Sequence, residues 1–91
     1  MVTVSVKAKG DGWECEVAVD HAGQTSRHTV AVSAADLARW SNGADAAAVE
    51  ELVARSFRFL LEREPPSAIL TRFDLSVIPR YFPEYHERFK R

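Results

Sequence analysis

Cysteine is almost missing from this chain. Cys15 stands alone, so no disulfide can form within it. Glycine and proline number four each, and no low-complexity tract or internal repeat occurs. Charge of one sign is missing too: the formal net charge is −1, which lacks the strongly basic balance of a dedicated nucleic-acid binder. No apolar run approaches the roughly 18 residues needed to cross a bilayer. Val2 to Lys9 alternates polar and apolar residues where a secretory leader would carry an apolar stretch. These absences point to a cytoplasmic protein without a membrane association.

What is present is an ordinary globular mixture. The 91 residues are 46% apolar and 27% charged, which suits one domain spanning 1–91 with one modest core. Arginine outnumbers lysine nine to three and alanine is common, a bias attributable to a GC-rich genome.

The first 33 residues read as an antiparallel β-meander. Val2, Val4, Val6 and Ala8 alternate with Thr3, Ser5, Lys7 and Lys9, and Trp13, Cys15, Val17 and Val19 alternate with Glu14, Glu16, Ala18 and Asp20. Period two is the strand signal. Asp11-Gly12 suits a two-residue type I′ turn, which predicts Lys9 opposite Glu14, Lys7 opposite Glu16, Ala8 opposite Cys15 and Val6 opposite Val17. A third strand runs from Ser26 to Ser33. Gly23-Gln24 as a type II′ turn would pair Val17 with Val30 and Cys15 with Val32, whereas Ala22-Gly23 would keep the faces and move the pairs.

Residues 34–91 read as helical. Ser33 to Asp36 resembles a capping box opening a short helix, Ala34 to about Trp40, with Leu37 and Trp40 inward and Asn42-Gly43 stopping it. Asp45 caps a long helix from Ala46 to about Arg63. Pro65-Pro66 ends it. A short helix is expected from Ser67 to Phe73, another from Val77 to Phe82 capped by Ser76 or Asp74, and a last one from Glu84 to Arg91 opened by Pro83. The fold class is therefore α+β: a three-stranded meander, a short helix, one long helix and a helical C-terminal segment.

The long helix carries the main anomaly. Its charges Glu51, Arg55, Arg58 and Glu62 occupy a narrow arc, with Glu51–Arg55 and Arg58–Glu62 spaced for i,i+4 pairs. Nearly all the rest is apolar, roughly twice the stripe of about 100° that one sheet face covers. The C-terminal segment, a second subunit, or both must cover the surplus. That favours a homodimer or a docked partner protein, with Phe57, Phe59, Leu61, Tyr81, Tyr85 and Phe89 as candidate interface residues.

Catalytic and metal signatures are sparse. His21 and His28 share a sheet face, but no further ligand lies at the right spacing, and a metal site needs three or four. Cys15 lies among apolar neighbours without a cation to activate it. Glu14 and Glu16 face lysines on an open surface, and no phosphate loop or hydrolase motif occurs. No metal, no cofactor and no catalytic residue is assigned, and an enzyme is the least favoured class. Residues 68–91 hold five basic and three acidic side chains. Arg72, Arg80, Arg88, Lys90 and Arg91, interleaved with aromatics, offer an alternative nucleic-acid surface. A weaker alternative is a small-molecule pocket near Trp13, Trp40 and His28. The leading expectation is a non-enzymatic protein-interaction module.

Overall fold

A computed structural model describes residues 1–90, an α+β domain in which helices cover one face of a four-stranded sheet. Strands β1 (Val2–Lys9), β2 (Gly12–His21) and β3 (Gln24–Val32) form the expected meander. Both turns differ from the first expectation. The first is Gly10-Asp11, with Gly10 at φ +60°, which suits a turn with glycine at its first central position. Lys7 therefore faces Glu14, Val6 faces Cys15 and Val4 faces Val17. The slip is two residues, so every side chain keeps its face. Gly12 is drawn into the strand, where a Cβ would run into the Val32 carbonyl oxygen. Lys9 still reaches Glu14, now diagonally, at 3.0 Å. The second turn is the alternative Ala22-Gly23. Both residues have positive φ, +53° and +79°, as a type I′ turn requires. Val17 then faces His28 and Cys15 faces Val30.

Helix α1 (Ala34–Trp40) begins where the Ser33 hydroxyl accepts the Asp36 N–H at 3.0 Å. Helix α2 (Ala46–Leu61) begins where the Asp45 carboxylate accepts the Ala48 N–H at 3.0 Å. These caps satisfy N–H groups that a helix start leaves orphaned.

The expected helix from Ser67 to Phe73 does not form. A single 3₁₀ turn, Pro66–Ala68, leads into strand β4 (Arg72–Asp74), which lies parallel to β3 with Val30 opposite Phe73. Three residues are too few to show a period, and their pairing depends on the open edge of β3, 43 positions earlier in the sequence and invisible to local patterning. The Asp74 carboxylate then accepts the Ser76 N–H at 3.0 Å and opens a 3₁₀ turn, Leu75–Val77, followed by α3 (Ile78–Tyr81) and α4 (Glu84–Phe89).

The core sits between the sheet and these helices, from Cys15, Val17 and Val30 to Leu52, Phe57 and Leu75. The apolar surplus of α2 is covered by the chain's own tail. Phe59 meets Phe82, Tyr85 and Phe89 edge-on at centroid distances of 6.1, 5.3 and 5.8 Å. Tyr85 stacks on Phe89 at 4.2 Å, and its hydroxyl shares a 2.8 Å hydrogen bond with Ser56, whose hydroxyl also reaches the Leu52 carbonyl. Charged pairs close the same seam: Arg63 to Glu84 at 3.1 Å and Arg88 to Glu62 at 3.1 Å.

Candidate functional site

The residues singled out from sequence scatter in the structure. Phe57, Phe59, Tyr85 and Phe89 are buried within the single chain. Leu61 is half-buried, and Tyr81 is 68% exposed. Among the basic candidates, Arg72 lies 3.8 Å from Glu14 on the outer sheet face, while Arg88 pairs with Glu62 in the helical layer and Lys90 with Glu87 at 3.2 Å. Arg80 is exposed, and Arg91 lies outside the described residues. Three of these cations thus already hold carboxylates, and they divide between opposite layers.

None of Trp13, Trp40 and His28 lines the groove described below. Trp40 is buried against Tyr85, with its indole N–H donating to His86 Nδ1 at 3.3 Å. Trp13 is half-buried at the start of β2. His28 is buried beside Phe57, and its Nδ1 donates to the Leu70 carbonyl at 2.7 Å while Nε2 shares a 2.7 Å hydrogen bond with the Ser26 hydroxyl. Burial pushes the Cys15 thiol up to about 11, so it stays protonated and unreactive at neutral pH. Among the described residues no group of three or more potential ligands is placed to hold a metal ion, and no helix is long and apolar enough to cross a membrane.

What the sequence did not disclose is a groove. Where α2 ends, Pro65 and Pro66 reverse the chain toward β4, and α3 closes the far side. Between them lies a hollow of about 270 Å³ with Leu60, Ile69, Phe73, Val77, Ile78 and Phe82 in its walls. Leu70 and Tyr81 stand on its rim at 49% and 68% exposure. Among the described residues the only other large, strongly exposed apolar side chain is Met1, so two of the three converge here.

The rim is rigid. The Leu70 carbonyl is held by His28, and the next carbonyl, Thr71, accepts the Thr29 N–H at 2.7 Å. An apolar side chain is thereby presented on a fixed backbone, which lowers the ordering cost of binding. One acid, Glu64, joins the lining, and its carboxylate has no hydrogen-bond or ion-pair partner among the described residues. Burial lifts its carboxyl above the usual carboxylate range. Such a groove is equipped to bind an apolar group beside a positive one, and it lacks a nucleophile paired with a base.

Leu70 escaped sequence reasoning because it was assigned to a helix, and Glu64 because it lies near the end of the long helix and belongs to no motif. The adjacent apolar pair Ile69-Leu70 offers no alternation from which one side chain could be read as buried and the other as exposed. Compared with protein-family models, curated proteins and solved structures, the chain matches none of them.

Proposed function

We propose that this chain is a non-enzymatic protein-interaction module, working in the cytoplasm, whose contact surface is the groove between α2, β4 and α3. The partner is a protein segment that places an apolar side chain between Leu70 and Tyr81 and a lysine or arginine beside Glu64. The observation that carries this reading is the convergence of two exposed apolar side chains on a hollow whose one charged lining group is an unpaired, partly desolvated carboxylate. Tyr81 is of a residue type enriched at binding hot spots. A hollow of about 270 Å³ is slightly below the usual range of roughly 300–1,000 Å³ for small-molecule sites, which favours a side chain over a free metabolite. Engagement of Arg72, Arg88 and Lys90 with carboxylates favours a protein over a nucleic acid.

Selection of linear peptides from a displayed library on the folded chain tests the proposal. Enriched peptides should share a large apolar residue with a nearby lysine or arginine. Leu70→Ser with Tyr81→Ser, both at exposed positions, should abolish the enrichment, and Glu64→Gln should remove the preference for a basic residue. Enrichment that survives the double substitution, or none at all, would refute the assignment.

A further inference from the structure

A second surface lies on the exposed side of α2, and at Arg58 it borders Arg88 and Phe89 of the tail. Ala47, Glu50, Ala54, Arg58 and Leu61 recur at steps of three and four residues, which confines them to one strip about 80° wide at 3.6 residues per turn. Ala47, Glu50 and Arg58 are exposed, and Ala54 and Leu61 are half-buried. At the end of this strip Arg58 and Leu61 border a shallow hollow with Met1, Val2 and His21, at the edge strand β1. Val2, Val4 and Val6 of that strand are themselves only half-buried.

The charges on this strip are left over. Glu62, the expected i,i+4 partner of Arg58, is taken by Arg88 at 3.1 Å and Arg63 at 3.2 Å, and Glu51 lies 4.0 Å from Arg55. Neither Glu50 nor Arg58 has an ion-pair partner among the described residues.

We infer that two copies of this chain associate through this flank, with their α2 helices antiparallel about a two-fold axis at Ala54. The order of residues along the strip is self-complementary under that operation. Position 50 is as far before Ala54 as position 58 is after it, and position 47 stands to 61 in the same relation. Each Glu50 then faces the other copy's Arg58, and each Leu61 faces the other copy's Ala47. Ala54 meets its own copy at the axis, where two methyl groups allow helix axes to approach to about 8 Å. A parallel arrangement would instead set Glu50 against Glu50 and Arg58 against Arg58, a like-charge penalty. Such a contact is isologous, the commonest way soluble chains pair. The inference is independent of the groove, which opens at the same C-terminal end of α2 but on the side carrying Leu60 and Glu64.

Sedimentation equilibrium over concentrations up to about 1 mM tests it, since a contact of one helix pair is small and weakly binding. The wild-type chain should dimerise. Glu50→Arg and Arg58→Glu should each weaken the dimer by at least about tenfold, because each sets like charges across the axis. The double exchange, Glu50→Arg with Arg58→Glu, should restore dimerisation toward the wild-type value, and Leu70→Ser with Tyr81→Ser should leave it unchanged. A wild-type chain that stays monomeric throughout, single reversals without effect, or a double exchange no better than the singles would overturn the inference.

Discussion

Ala22 holds φ +53°, a conformation that costs an L-residue with a Cβ roughly 1–2 kcal/mol. Ala22→Asn creates the Asn-Gly pair that type I′ turns prefer and should stabilise the chain by about 0.5–1 kcal/mol in urea unfolding. Ser56 has the opposite sensitivity. It is the partner of the buried Tyr85 hydroxyl, whose ionisation burial already suppresses. Ser56→Ala should cost about 1–3 kcal/mol by orphaning that hydroxyl, and adding Tyr85→Phe should recover part of the loss, because removing both partners is cheaper than removing one. Glu64 supplies a pH signature. Its carboxyl is raised in the folded chain, so the native state holds the proton more tightly than the unfolded chain does. The ionised form therefore costs stability above the raised value, and the cost disappears as pH falls below the unfolded value of about 4.3. Glu64→Gln should raise the thermal midpoint at pH 7, with the two proteins converging below about pH 4. A constant difference across that range would contradict the assignment of cause.

The C-terminal helix α4 is short, and in isolation six residues would not remain helical. Its order comes from the Phe59–Tyr85–Phe89 cluster and the Arg63–Glu84 and Arg88–Glu62 pairs. Amide exchange of α4 should accordingly be slowed together with that of α2, and Phe59→Ala should release α4 first, with a stability loss of about 3–5 kcal/mol. This element also shows where sequence patterning stops. The alternation in β1 and β2 and the caps at Ser33 and Asp45 were legible because each signal is local. The first turn's register was displaced because Gly10 and Gly12 both tolerate positive φ, and Gly12 is the one that packs against Val32, while the second turn took the alternative Ala22-Gly23. Strand β4 was illegible because its three residues pair with a distant edge. The surplus apolar arc of α2 was legible, but its cover could not be chosen from sequence: aromatics spaced along the tail suit a docked helix and an open interface equally well.

Across the whole molecule, the tail leaves few apolar side chains in water. Leu70 and Tyr81 remain at the groove, and the α2 flank carries leftover charge rather than exposed bulk. The candidate site was the least legible feature, since it exists only once the segment between the Pro66–Ala68 turn and β4 sets Ile69 inward and Leu70 outward. Its identity as the working surface is the central claim. The most direct test is a ¹⁵N–¹H correlation titration of the folded chain with a peptide obtained by selection. The account predicts progressive shifts confined to Leu70, Phe73, Val77, Tyr81 and their neighbours around Glu64, lost when Leu70 and Tyr81 are replaced by serine. Shifts centred instead on the outer sheet face, the α2 flank or the basic residues of α4 would contradict it.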